Sequence, residues 1–292
     1  MTERFLDYLK YEKNRSQLTV NSYRKDLAAF EEFFKGKDEQ LSWESIDPDI
    51  IRDWMESMLD KGNTATTINR RLSALRSLYR FALSRELVDT DPARNIVGPK
   101  KKKLLPRFVK ESEMDQLLDL CEEDDNIETV RARTIILLFY STGMRLAELT
   151  GLSVGDVDLE NRQVKVTGKR NKQRIIPFGD EMADTLKAYL ELRSQTAPAG
   201  EEAFFLTRKG EPMNSTQVRY LVKKNLKKVS SQKKLTPHVL RHSFATAMLN
   251  HEAGLESVRK LLGHESLTTT EIYTHTTFEQ LKEAYRKAHP RE

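Results

Sequence analysis

Residues 95–108 read NIVGPKKKKLLPRF, and no packed element can run through them. Two prolines remove backbone donors and fix φ. A glycine adds freedom, and four consecutive lysines, Lys100, Lys101, Lys102 and Lys103, repel one another and resist burial. A chain of 292 residues is long enough to build a separate core on each side of such a break. The expected organisation is a helical unit over residues 1–95, a basic linker over 96–107 and a second unit over 108–292.

The first unit has a helical period throughout. In LTVNSYRKDLAAFEEFF, Tyr23, Leu27, Phe30 and Phe34 recur at i, i+4, i+7 and i+11, which makes one apolar stripe. Thr64 opens another helix, with Ile68, Leu72, Leu75, Tyr79 and Ala82 toward a core. On a different face of that helix lie Asn69, Ser73, Arg76 and Arg80, a stripe suited to a phosphate backbone although solvation alone would also account for it. Pro48 and Gly62 divide the region into about four helices.

Helices resume after Pro106, and the run Ile135 to Tyr140 is apolar enough to be buried on all sides. After Gly151 the period changes to two. QVKVTGKRNKQRIIPF alternates around a polar tip and reads as a β-hairpin, and the chain from Asp180 onward reads as helical. The tail, FEQLKEAYRKAHPRE, places Phe278, Leu281, Tyr285 and Ala288 on one helical stripe that needs a cover.

Charge narrows the partners. Lys and Arg number 49 against 44 Asp and Glu, a net +5, which favours a polyanion partner without requiring one. The single cysteine, Cys121, excludes an internal disulfide framework and a cysteine-based zinc site, and fits a reducing compartment. No stretch approaches the ~18 apolar residues of a membrane span, so a soluble cytoplasmic protein is expected, with no membrane partner.

Four separated pieces of the second unit carry side chains suited to a phosphodiester. Arg145, in STGMRLAEL, offers a planar fork that matches two phosphate oxygens, although a lone arginine of this kind commonly serves as an ion-pair partner. Lys169 sits at the hairpin tip beside Arg170, Lys172 and Arg174, where basic residues are often merely solvated. In LTPHVLRHSFATAML, Pro237 belongs to a first helical turn, and His238 and Arg241 at i and i+3 share a face near a helix N-terminus that favours an anion. His242, at i+4 from His238, has metal-ligand spacing but lacks a neighbouring carboxylate or cysteine, and reads as a packing residue. The last piece, LLGHESLTTTEIYTH, holds His264 and, nine residues on, Tyr273.

Taken together, GMRLAEL, GKRNKQR, HVLRH, LLGHES and IYTH follow in order and spacing the catalytic pattern of the tyrosine recombinases, or integrase family, and the chain most resembles its Xer subgroup. All six positions of the pattern are filled. The resemblance implies a mainly α protein with a small β-sheet: an N-terminal helical core-binding, SAM-like domain and a C-terminal α+β catalytic domain. It implies Tyr273 as a nucleophile that forms a 3′-phosphotyrosyl link to DNA. Arg145, Arg241 and His264 would stabilise the charge, His238 would support proton removal and Lys169 would act as the acid, without metal, ATP or other cofactor.

Lys100 to Lys103, Arg170, Lys172 and the Asn69 stripe would then contact DNA. The implied partners are a double-stranded recombination site and a homo- or hetero-tetramer on two duplexes, with a second Xer-type recombinase and a DNA translocase activator as candidates. The tail helix would dock on a neighbouring protomer. Chromosome-dimer resolution, in chromosome partition and cell division, is the expected role. Integration or inversion of a mobile element uses the same chemistry. A non-catalytic DNA-binding regulator would not need Tyr273, Lys169 and His264 together; a type IB topoisomerase would act as a monomer, and a metal-dependent nuclease would need a ligand set.

Overall fold

The computed structural model describes residues 1–100, 108–120, 126–168, 171–232, 235–263 and 275–291, with side chains from 281 onward in the last segment. The chain divides into two compact units, Met1–Leu104 and Leu105–Glu292.

The first unit is built from α1 (Thr2–Asp7), which runs into a π-helical turn over Tyr8–Glu12, followed by α2 (Gln17–Lys37), α3 (Pro48–Asp60) and α4 (Ala65–Ser84). Ser16, Asp47 and Thr64 cap α2, α3 and α4 by accepting backbone N–H bonds, and Pro48 sits in the first turn of α3. Leu27, Phe30 and Phe34 from α2 meet Ile68, Leu72, Leu75 and Tyr79 from α4 in one buried cluster, as the two stripes predict. Phe30 lies 4.8 Å from Trp54 and Phe34 lies 5.3 Å from Trp43, ring centre to ring centre. Asp26 is buried in the same layer and paired to Arg70, which staples α2 to α4.

Within the chain, the polar stripe of α4 has partners of its own. The Asn69 amide donates to the carbonyls of Ala65 (2.7 Å) and Pro99 (2.8 Å), the Ser73 hydroxyl to Asn69 O (2.8 Å), and Arg76 to Ala93 O (3.2 Å) and Ile96 O. Ala93 and Ile96 are themselves buried in the first unit's core. The chain doubles back after α4, and its carbonyls, removed from water, need donors that only this face of the helix supplies. Asn69 and Arg76 therefore form a cleat for residues 93–99, and the linker is anchored at its front end. Gly98 lies so close that a Cβ there would fall 2.3 Å from Asn69 Oδ1. Arg80 and Lys100 remain exposed; Lys101, Lys102, Lys103 and Cys121 fall outside the described residues.

The second unit contains α5 (Glu111–Asp119), α6 (Ile127–Thr142), α7 (Leu146–Thr150), β1 (Val157–Asp158), β2 (Gln163–Thr167), β3 (Gln173–Pro177), α8 (Asp180–Ser194), α9 (Ser215–Leu226), α10 (Pro237–Asn250), α11 (Leu255–Leu262) and α12 (His275–Ala288). Residues 135–140 of α6 are fully buried, as their unbroken apolar run requires, and α8, α9 and α10 pack around that helix. The expected hairpin is β2–β3, in a register that opposes Val164 to Ile176 and Val166 to Arg174, and β1 extends it to three antiparallel strands. Between α8 and α9 the chain is not helical. Bridges pair Ser153 with Ala203 and Leu206 with Pro212, and buried Arg193 donates to the carbonyls of Glu201, Ala203 and Phe204. Among the described residues no helix is long and apolar enough to cross a membrane.

Within the single chain, helix α12 packs on its own unit. Leu281, Tyr285 and Ala288 are buried against α10 and α11, and Phe278 falls outside the described side chains. Beyond the helix, Arg291 forks onto Glu181 (2.5 and 2.7 Å) and reaches Asp115 (2.7 Å), which ties the tail to α8 and α5. His289 stacks on Tyr285 at 4.9 Å, beside Tyr140 and Phe244. Its Nδ1 accepts the Arg291 N–H (3.2 Å) while Nε2 lies 3.4 Å from Tyr140 O, the pattern of a neutral imidazole. Within the single chain the described part of the stripe, Leu281, Tyr285 and Ala288, is thus covered in cis, and His289 and Arg291 beyond it find partners in the same unit.

Burial pushes the His289 ring down to about 4, an effect that the Tyr140 carbonyl opposes and the Arg291 and His251 charges reinforce. The Tyr140 and Tyr285 rings pack against it, and Glu111 pairs with His251. The folded value lies below the ordinary 6.5, so this residue's contribution is complete above pH 6.5 and is lost as pH falls toward 4. The melting temperature of the wild-type chain is expected to fall between pH 7 and pH 5, and His289→Phe to flatten that fall; an unchanged pH dependence in the variant would show that His289 is not the group that titrates.

Candidate active site

The site is organised by the end of α6. Gly143 terminates the helix at φ +59°, and a Cβ there would lie 2.4 Å from Phe244 Cδ1 and 2.8 Å from Leu262 Cδ2. Only glycine fits both the left-handed backbone and the space. The sharp exit sets Arg145 as the residue from which α7 starts.

Glu148, one turn into α7, is buried. Its carboxylate accepts the backbone N–H of Arg145 (2.6 Å) in half of a capping box, and Arg145 Nη1 (2.9 Å). It also accepts both Arg174 Nη1 (2.8 Å) and Nη2 (2.9 Å), a bidentate fork. Burial by itself would raise the Glu148 carboxyl, but the hydrogen bonds and charge of Arg174, then those of Arg145, hold it down at about 2. It is an anion at any working pH.

Three guanidiniums converge on the C-terminal end of α11. Arg174 Nε donates to Leu261 O (2.8 Å), Arg241 Nη2 to Leu262 O (2.6 Å) and Arg145 Nη2 to Gly263 O (3.1 Å). Arg241 Nη1 also reaches Gly143 O. The last carbonyls of a helix carry its partial negative charge, so they attract these cations in the absence of another anion. Desolvation, followed by the charges of Arg145 and Arg174, lowers Arg241 to about 10, with Glu148 opposing. It stays protonated near neutrality. The Arg145 side chain is 39% exposed, so part of its fork faces outward.

His238 and Arg241 take different positions on the shared helical face. Arg241 turns inward and is buried, whereas His238 is exposed at the N-terminal turn of α10. Burial and then the charges of Arg241, His242, Arg219 and Arg145 lower the His238 imidazole below its ordinary value, which favours the neutral form that a proton acceptor needs. His242 is exposed rather than packed, and Lys172 is exposed beside the hairpin tip. Lys169, Arg170, His264 and Tyr273 lie outside the described residues, although Gly168 and Gly263, directly before Lys169 and His264, are inside them.

Two members of the cluster escaped the sequence reading. Arg174 is not a solvated tip residue; its place on β3 puts it on the buried side with Val166. Glu148 stood in RLAEL without an assigned role. The spacing of Arg145 and Glu148, a residue before a helix and an acid three later, is the signal that was there to read.

Gly143→Ala combines a left-handed residue, ~1–2 kcal/mol, with overpacking against Phe244 and Leu262, ~1–3 kcal/mol. A loss of about 2–5 kcal/mol by urea unfolding is expected, with DNA cleavage reduced further because Arg145 follows two residues later. Unchanged stability would mean that the turn can relax around a methyl group.

Comparison with known proteins identifies the family. The model of the phage integrase family matches residues 107–280, and that of the phage integrase N-terminal SAM-like domain matches residues 2–86. A tyrosine recombinase XerC of Chlorobaculum parvum is 40% identical over 99% of this chain and 94% of its own length. A tyrosine recombinase XerC of Pelotomaculum thermopropionicum is 37% identical over 99% and 97%. Among solved structures, XerH recombinase bound to a palindromic difH substrate in a post-cleavage complex superposes with a TM-score of 0.73, at 25% identity over 97% of this chain and 84% of that one. With both halves matched and such identity sustained over nearly its full length, the chain belongs to the phage integrase family and is an Xer-like site-specific tyrosine recombinase, an enzyme that cuts and rejoins DNA.

Proposed function

We propose that the chain recombines a double-stranded DNA site through a covalent link to Tyr273, with Arg145, Arg241, His264, His238 and Lys169 around the scissile phosphate. The observation that carries this reading is the convergence of Arg145 and Arg241, from separate helices, on neighbouring carbonyls at the end of α11, immediately before His264. A phosphate is a stronger acceptor than a carbonyl and would draw the same forks onto its non-bridging oxygens.

The Tyr273 oxygen attacks phosphorus and the bond to the 5′ oxygen breaks. The phenol, ordinarily of pKa ~10, gives up its proton as it attacks, and the neutral His238 supports that loss. Lys169 supplies the proton for the departing 5′ oxygen. The products are a 3′-phosphotyrosyl link and a 5′-hydroxyl, and attack by a partner strand's 5′-hydroxyl reverses the step. Fixed donors aimed at the developing charge each contribute a few kcal/mol, ~3 kcal/mol for one such group.

Exposed Arg80, Lys100 and Lys172 are proposed DNA contacts, together with Lys101, Lys102, Lys103 and Arg170; exposed Ser73 is a further proposed contact, and Asn69 and Arg76 act instead through the segment that they hold. Exchange between two duplexes requires a multimer, and relatives solved on their DNA sites support a recombination site as the partner. Resolution of chromosome dimers is preferred to integration or inversion. Relatives at 37–40% identity are XerC recombinases, whereas a transposon integrase at 20% speaks for the fold alone. Sequencing the DNA trapped on Tyr273 in cells identifies the site and decides the role.

Tyr273→Phe is expected to bind that DNA as the wild type does and to form no covalent adduct on a denaturing gel, while the wild-type adduct persists in excess EDTA. Adduct in the variant would assign the nucleophile elsewhere, and loss of cleavage that magnesium restores would favour a nuclease. Lys169→Ala is expected to stop cleavage of ordinary DNA but to cleave a substrate whose 5′-bridging oxygen is sulfur, which leaves without a proton. If both substrates stay intact, Lys169 is not the acid.

A further inference from the structure

Arg174 is 9% exposed, too deep to reach a phosphate, yet it touches the surroundings of three proposed active-site residues. Its fork covers both oxygens of Glu148, the carboxylate that also holds Arg145 by backbone and side chain. Its Nε holds Leu261 O near the end of α11. The pair fills the space beside two glycines: a Cβ on Gly168 would lie 3.1 Å from Glu148 Oε1, and a Cβ on Gly263 would lie 3.1 Å from Arg174 Nη1 and 3.2 Å from its Cδ. Those glycines directly precede Lys169 and His264.

The charges give the arrangement its consequence. Arg145, Glu148 and Arg174 sum to +1. Without Arg174, Glu148 would be balanced by Arg145 alone, and the arginine meant for the phosphate would be held in an internal ion pair with no net charge to offer. Lysine cannot substitute fully, because a single ammonium does not span two carboxylate oxygens and a carbonyl at once.

We propose that Arg174 is a positioning residue for DNA cleavage: by sharing Glu148 with Arg145 Nη1 it leaves the cluster a net positive charge and keeps Arg145 Nη2 off the carboxylate and available to the scissile phosphate, and by lying beside Gly168 and Gly263 it sets where the chain leads on to Lys169 and His264. The inference rests on the assignment of Arg145 to that phosphate.

The test uses the full chain and a nicked duplex bearing the site sequenced from the Tyr273 adduct, made with either an ordinary scissile phosphate or a methylphosphonate. The methyl group removes the charge that Arg145 must balance. Arg174→Met is expected to cleave ordinary DNA ~100-fold more slowly at saturating enzyme, with Kd changed by less than about threefold. Arg174→Lys is expected to recover about tenfold of that loss. On methylphosphonate DNA both deficits should shrink by about tenfold or more, as for Arg145→Ala, and adding Arg174→Met to Arg145→Ala should cost little further.

Cleavage by Arg174→Met within threefold of wild type, an equal deficit on both substrates, or a loss explained by weaker binding would overturn the inference. If Arg174→Met does not fold, Arg174→Lys, which keeps the buried charge, carries the same comparison: it must be slower on ordinary DNA and relieved on methylphosphonate. Normal cleavage by Arg145→Ala would instead show that the assignment of Arg145 was wrong. A dead Arg145→Ala beside fully active Arg174 variants would sink only the role of Arg174.

Discussion

The buried carboxylate of Glu148 is the point on which the geometry of the second unit's arginine cluster depends. A lone carboxylate out of water is costly, and this one is retained because four N–H groups from two arginines surround it. Those bonds join the start of α7, the buried side of β3 and, through the remaining donors of the same arginines, the end of α11. Three elements distant in sequence are thereby registered against one anion. Replacing either partner of such a pair leaves an uncompensated charge, which typically costs ~3–5 kcal/mol; position and stability are therefore coupled at the same atoms.

The end of α11 serves a second purpose. Three guanidiniums would repel one another in an empty site, and they are held together by Leu261, Leu262 and Gly263 carbonyls and by Glu148. In the single chain the partners of the three guanidiniums are the protein's own carbonyls and Glu148. Donors fixed before the reaction require little reorganisation when charge develops, which is the condition under which they stabilise a transition state most.

Both units use polar side chains to hold backbone that has left regular structure. Asn69 and Arg76 support residues 93–99, Arg193 supports residues 201–204, and Arg241 supports Gly143 and Leu262. A charged residue on a helix face is thus no guide to solvent or DNA when irregular chain passes nearby, because buried carbonyls compete for its donors.

What the sequence determined by itself was whatever depends on local period and spacing. The stripes of α2 and α4, the buried run of α6, the β2–β3 hairpin and the break between units follow from side-chain alternation and from proline, glycine and charge, all of which act within a few residues. The order and spacing of GMRLAEL, GKRNKQR, HVLRH, LLGHES and IYTH made the family legible for the same reason. Which neighbour each polar group meets was decided by the tertiary structure. Arg174 and Ile175 stand side by side in QRIIPF, where apolar residues at both 175 and 176 leave the strand's inner face ambiguous; strand register turned Arg174 inward and left Ile175 42% exposed. The α4 stripe and the described part of the α12 stripe are faces within the chain, and what they meet there, the returning segment 93–99 and α10 and α11, comes from distant sequence. Periodicity specifies that a face must be covered, and only the packed chain supplies what covers it.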